Sequence, residues 1–151
     1  MYYGDGWTMG KYDNHFIFQD KTDLKLPEFR HEIPRERGHR IVYLDDEVFP
    51  GAGFYVEAVW FWPREIRPDE PPGVQAHTHP FDEVIAFFGT NPDDTNDLGG
   101  EVELWIDGEK NLIDRNFMAF IPAGTEHCPL QFRRIERPVF HFTAGPGEMY
   151  E

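Results

Sequence analysis

The segment GFYVEAVWFW, Gly53–Trp62, constrains the fold more than any other part of the chain. In an extended backbone its even positions Phe54, Val56, Ala58, Trp60 and Trp62 share one face, and Tyr55, Glu57, Val59 and Phe61 share the other. Pro63 ends it, because proline cannot donate to a strand ladder. The same scale of pattern recurs down the chain. RIVYL (40–44), EVIAFFG (83–89) and PVFHFTAG (138–145) read as strands. EVELWIDGEKNLI (101–113) reads as a hairpin turning at Asp107-Gly108, and NFMAFIPAGTEHCPLQFRRI (116–135) as strand, tight turn, strand. No long stretch has helical periodicity, and 16% of the residues are aromatic. Short strands with turn signals between them predict an all-β sandwich or barrel. Residues 1–40 are polar and punctuated, so loops are expected there, with one short strand at Phe16–Phe18. TNPDDTNDLGG (90–100) reads as an acidic loop and a lid for the barrel mouth.

The bulk numbers narrow the partners. A chain of 151 residues fits one domain. Asp and Glu number 28 against 14 Lys and Arg, a net charge of −14, which argues against nucleic acid and against an anionic membrane surface. The single cysteine, Cys128, excludes an intramolecular disulfide and fits a reducing compartment. The N-terminal residues lack the basic and apolar regions of a signal peptide, and the apolar runs are far shorter than the ~20 residues of a membrane span. The expected location is therefore the cytoplasm.

The chemistry concentrates in GVQAHTHPFDEVIAFFG, Gly73–Gly89. His77 and His79 are two apart, so on a strand both imidazoles lie on one face with Cα atoms roughly 6.6 Å apart. Glu83 shares that parity but would lie roughly 13 Å beyond His79 on a straight strand, too far for one ion. A bend at Pro80-Phe81-Asp82 brings it back, with the two histidines ending one strand and Glu83 beginning the next. The best candidate to close the site is His127, after the turn-forming PAG of PAGTEH (122–127). Three imidazoles and one carboxylate suit one divalent Fe, Mn, Co, Ni, Cu or Zn ion rather than Ca or Mg, and one cysteine rules out a zinc finger. A lone H-x-H is usually surface decoration; the added glutamate and distant histidine are what favour a metal.

These residues resemble the two motifs of the cupin family, G-x5-H-x-H-x3,4-E-x6-G and G-x5-P-x-G-x2-H-x3-N. His77, His79 and Glu83 match the ligand core of the first, and Pro122, Gly124 and His127 that of the second. The departures fall on the flanks. Pro71 stands at the first leading glycine, Gly89 comes one residue early, Asn116 stands at the second leading glycine, and Gln131 replaces the final asparagine. Asn116 is acceptable there because asparagine enters left-handed backbone more easily than most residues. The resemblance implies a double-stranded β-helix, a jelly-roll barrel over 41–151 with the metal inside. It also implies an N-terminal arm, 1–40, packing on the barrel or on a partner subunit in a homodimer.

In such barrels, strand residues facing the metal line the pocket. Tyr55 and Glu57 are its polar members if the odd face of their strand points inward, and Trp60 and Trp62 its walls if the even face does; core packing is the plainer reading of each apolar residue. Arg64 and Arg67 are candidates to clamp a carboxylate or phosphate, though surface arginines are usually solvated. His141 is a candidate pocket acid or base. Asp93, Asp94 and Asp97 lack the spacing of an EF-hand. Cys128 is expected as a buried small side chain and not a ligand, since its neighbour His127 should take the opposite face. The resulting expectation is a metal-dependent enzyme for a small oxygen-chelating substrate, a dioxygenase before an isomerase or decarboxylase, with Glu83 as ligand and possible base. The alternative is a non-catalytic barrel that binds a small ligand around a structural ion.

Overall fold

The computed structural model describes residues 10–147. The first nine residues of the expected arm, and residues 148–151, lie outside it. Eight strands follow a single 3₁₀ turn at Asp13–His15. They are β1 (Gly38–Leu44), β2 (Phe54–Phe61), β3 (Glu83–Phe88), β4 (Asp97–Ile106), β5 (Glu109–Arg115), β6 (Phe117–Ile121), β7 (His127–Ile135) and β8 (Val139–Pro146). A five-stranded antiparallel sheet runs β1-β2-β8-β3-β6 and faces a three-stranded one, β5-β4-β7. This is the all-β jelly roll expected from the turn-punctuated strands.

The ladder register arranges the inner face of the larger sheet in rows. Tyr55 pairs with Gly145, Glu57 with Thr143 and Val59 with His141 between β2 and β8. Ile85 pairs with Thr143 and Phe87 with His141 between β3 and β8. The odd face of β2 therefore points inward: Tyr55, Glu57 and Val59 are all at or below 1% exposure. Ile85, Phe87, Leu98, Val102, Leu104 and Ile121 form the core cluster with Cys128. Burial of these side chains, each worth on the order of 1.5–3 kcal/mol, holds the two sheets together.

The even face of β2 points outward, and it is apolar as well. Phe54, Val56, Ala58 and Trp60 lie beside Phe140, Phe142, Ala144 and Pro146 of β8, then Val84, Ala86 and Phe88 of β3, then Met118 and Phe120 of β6. No charged residue occurs among these positions, and Met118 and Phe120 are 65% and 63% exposed.

Several local expectations need correction. Phe16–Phe18 belongs to no strand; Phe16 and Phe18 stack on each other and both stay exposed, so neither a ladder nor a core straightens the segment. The acidic loop ends at Asn96, and Asp97–Gly100 already belongs to β4. Asp97 accepts from the Gly99 amide at 2.9 Å and from Asn91 Nδ2 at 3.1 Å, which folds this loop onto itself. None of its residues lines the cavity described below, so it is not a lid. Asn116 does not use left-handed backbone; its side chain accepts from the Gly89 amide at 2.8 Å and ties β3 to β6. Gly89 is required there by close approach, since a Cβ would fall 2.2 Å from the carbonyl oxygen of Asp97. Asp107-Gly108 makes the expected hairpin turn, both residues with positive φ (49° and 77°).

Candidate metal centre

Backbone hydrogen bonds bring the two motifs together. His77 and His127 exchange both amide–carbonyl bonds at 3.0 Å, an isolated antiparallel bridge outside the named strands. The Gly124 amide donates to the His79 carbonyl at 2.9 Å, and the Ala123 amide to Asp82 Oδ1 at 2.8 Å. Gly124 has φ +79, which turns PAGT back on itself and closes with Thr125 N–H on the Pro122 carbonyl. His77 and His79 lie in an extended segment rather than in a strand proper, with the bend at Pro80–Phe81 and β3 starting at Glu83.

The side chains then converge. The ring centroids of His77, His79 and His127 lie 4.4 to 5.5 Å apart. Each ring donates Nδ1–H to a nearby carbonyl: His77 to Gln75 at 2.7 Å, His79 to Phe81 at 3.0 Å, His127 to Thr125 at 2.9 Å. A carbonyl can only accept, so the proton is on Nδ1, and in the neutral ring Nε2 carries the lone pair a metal needs. Nε2 of His79 and of His127 are buried without a hydrogen-bond partner. They stand 3.5 and 3.3 Å from Glu83 Oε1. Glu83 Oε2 accepts from the Tyr55 hydroxyl. Potential ligand atoms of His79, Glu83 and His127 all lie within 4.8 Å of one another. Two orphaned nitrogens and a carboxylate oxygen facing one point are a donor set for a transition metal, with the carbonyls and Tyr55 orienting them. His77 falls in a second trio, with His127 and Cys128, also within 4.8 Å.

Two aromatic rings brace the site. Phe29 stacks on His77 at 3.7 Å, and Phe81 stacks on His79 at 4.1 Å. Burial lowers the pKa of His77 to about 4, the neutral form a ligand needs. Burial also acts to lower that of His79, but the neighbouring Glu83 carboxylate outweighs it and the net direction is up. Burial works to raise the Glu83 carboxyl, yet the His127, His79 and Tyr55 side chains hold it well below the usual carboxylate range.

His77, His79 and Glu83 of this centre line a cavity of about 250 Å³. Phe61, Ile85, Phe87, Leu130 and Phe132 supply apolar walls, with His77, His79, Glu83 and Cys128 also exposed to it. Glu57 and His141 line it; Tyr55 stands behind Glu83 instead. Trp62 reaches its mouth, but Trp60 stays on the outer face, stacked with Trp62 at 6.2 Å. Arg67 is solvent-exposed, 4.0 Å from Asp69, away from the cavity. Arg64 lines the mouth, held by a two-pronged pair with Glu70 at 2.8 and 2.7 Å.

The sequence reading missed Arg30, which enters from a loop and pairs with buried Glu57 through both nitrogens, at 2.9 and 2.8 Å. It also missed Phe29 and Thr143, whose buried Oγ1 has no hydrogen-bond partner. Thr143 was recoverable from parity with His141; Phe29 and Arg30 lie in an unpatterned loop and carried no signal. Cys128 faces the centre, contrary to the alternation argument: His127 and Cys128 are 1% and 4% exposed, because Cys128 has φ +74 and breaks the strand's two-residue period.

No family model and no curated protein matches the chain. Its likenesses are to solved structures. A predicted oxalate decarboxylase from Thermotoga maritima is 12% identical over 74% of this chain and 79% of that one, with TM-score 0.47. An oxalate oxidase solved in complex with glycolate is 18% identical over 76% of this chain, with TM-score 0.47; the match covers 53% of that protein, so this chain spans about half its length. The cupin domain of a Schizosaccharomyces pombe protein is 8% identical over 64% of this chain and 58% of that one, with TM-score 0.43. Identities this low speak to fold alone. Strand order and the two facing segments are those of a jelly-roll barrel. No helix among the described residues is long and apolar enough to cross a membrane.

Proposed function

We propose that this cupin-fold chain holds one divalent transition-metal ion through His77, His79, Glu83 and His127, and that it is an enzyme for a small oxygen-chelating substrate. The observation that carries the reading is the pair of buried, unpartnered Nε2 atoms on His79 and His127 beside Glu83. Leaving such atoms unsatisfied is costly, and an ion removes the cost. When bound, the ion supplies Lewis acidity to a chelating substrate oxygen and, if it is iron, an electron relay.

The chain does the rest. A cavity of about 250 Å³ admits a small molecule only, below the ~300–1,000 Å³ of drug-sized sites. Its aromatic walls exclude water from the side of the centre that faces it. Arg30 and Glu57 neutralise each other inside, and His141 and Thr143 offer polar contacts to a substrate. Glu83 is held as an anion by His79, His127 and Tyr55, so it acts as a base only after releasing those imidazoles. Dioxygenation is the first reaction to assay, isomerisation and decarboxylation the next. The protein also pairs with a second copy, through the charge-free outer face of the five-stranded sheet.

The test is metal analysis of purified protein, before and after loading with Fe(II), Mn(II), Co(II), Ni(II), Cu(II) and Zn(II), followed by O₂ uptake with catechol-like and diketone compounds. We expect close to one equivalent of one of these ions, with His79→Ala binding on the order of 10–100-fold more weakly or worse. Less than about a tenth of an equivalent after loading would remove the metal reading. Full loading without turnover in any of the three reaction classes would replace the enzyme by a ligand-binding protein.

A further inference from the structure

We infer that Cys128 is a further ligand of the same ion, its Sγ taking a position beside His77 and His127 that thiophilic ions occupy in preference to a Glu83 oxygen. The inference rests on the metal reading above and adds sulfur to a donor set of nitrogen and oxygen.

Two trios of potential ligand atoms meet at this centre, each within 4.8 Å: His79, Glu83, His127 and His77, His127, Cys128. They share His127, whose Nε2 is buried and has no hydrogen-bond partner. His77 belongs to the sulfur trio and not to the carboxylate one. Cys128 packs in the core cluster and also lines the cavity, as His77, His79 and Glu83 do. It faces inward only because it adopts φ +74, a conformation that residues with a Cβ rarely take. Departures of that kind cluster at ligand sites.

The chemistry balances without a second reactant. Without an ion the buried side chain is a thiol, S–H. Binding of a divalent ion forms the metal–sulfur bond, and the thiol proton leaves to solvent. Zinc favours thiolate, whereas manganese favours the Glu83 oxygen. The centre therefore selects between ions by which trio they use.

Metal-free protein is loaded with Co(II) and, separately, with Zn(II). The expected results are a sulfur-to-cobalt charge-transfer band in the near ultraviolet and a sulfur neighbour about 2.3 Å from zinc by X-ray absorption fine structure. In Cys128→Ser the band disappears while the cobalt d–d bands persist, and the preference for Zn(II) over Mn(II) in competition falls at least about tenfold, one coordination contact's worth. Stoichiometric cobalt and zinc with no charge-transfer band and no sulfur neighbour would overturn the inference and leave the metal site standing. Failure to bind either ion would overturn both. The wild-type readouts decide the matter even if Cys128→Ser fails to fold.

Discussion

His141 is 5% exposed on the inner face of β8, its ring 4.2 Å from Phe87 and 5.8 Å from Phe61. Its Nδ1–H donates to the Ala86 carbonyl at 2.9 Å, which fixes the neutral tautomer. Burial, the dominant cause, lowers its pKa to about 4; Arg30 acts the same way, while Ala86 and Glu83 act against it. The unfolded chain binds this proton at about pH 6.5 and the folded chain only near 4. The folded state is therefore favoured most above pH 6.5, and this advantage is lost as pH falls from 6.5 to 4. The loss is at most about 3 kcal/mol, at 1.36 kcal/mol per pKa unit. Urea denaturation of metal-free protein between pH 7.5 and 4.5 should show that decline together with the like contribution of His77, and His141→Gln should make it shallower by about half. An identical pH slope in the two proteins would mean that the ring is not the titrating group.

At the scale of elements, the centre depends on how β2, β8 and β3 lie side by side. Tyr55 pairs with Gly145, and its hydroxyl crosses that glycine to reach Glu83 at the start of β3. A Cβ on Gly145 would fall 2.8 Å from a Tyr55 ring carbon and 2.9 Å from the Asp82 carbonyl oxygen. Gly145→Ala should therefore cost roughly 1–3 kcal/mol of stability through overpacking. It should also weaken manganese binding, because Tyr55 moves off Glu83. Urea midpoints and manganese titration of the variant check both, and wild-type manganese affinity would separate Tyr55 from the centre. Much of this arrangement was legible in the chain. Pro and Gly punctuation located the strands, Asp107-Gly108 located the hairpin, and the bend at Pro80–Phe81 followed from the distance between His79 and Glu83. Which face of β2 points inward was not legible, because Phe54, Trp60 and Trp62 are as apolar as a core face. Cys128 was hidden by its positive φ, which alternation cannot anticipate. Arg30 and Phe29 reach the site through the Arg30–Val74 bridge and the Gln75 amide on the Phe29 carbonyl, contacts that no local pattern encodes.

For the whole molecule, the outer face that obscured the parity of β2 is itself an argument. The apolar positions span four strands, β2, β8, β3 and β6; at ~4.8 Å spacing and ~7 residues at ~3.3 Å they give a face of roughly 19 by 23 Å, about 440 Å². Contiguous apolar patches of that size mark contacts, and this one forms the apolar centre of the ~800 Å² per partner that a stable dimer buries. The occupant proposed for it is a second copy of this chain. A net charge of −14 makes two copies repel everywhere else, so a charge-free face is where they can meet, whereas a basic partner would choose the acidic surfaces. Met118 and Phe120 of β6 and Phe140 and Phe142 of β8 flank β3 on this face, so two-fold sheet-on-sheet packing buries them together. Sedimentation equilibrium should give twice the monomer mass. The dimer should tighten as salt is raised, because screening removes repulsion and takes nothing from an apolar contact. Phe142→Lys combined with Met118→Lys should leave a folded monomer with unchanged metal content, since neither side chain lines the cavity. A monomer at about 100 μM wild-type protein, or a dimer that loosens with salt, would overturn the pairing, because an apolar face of this size buried between like-charged copies permits neither.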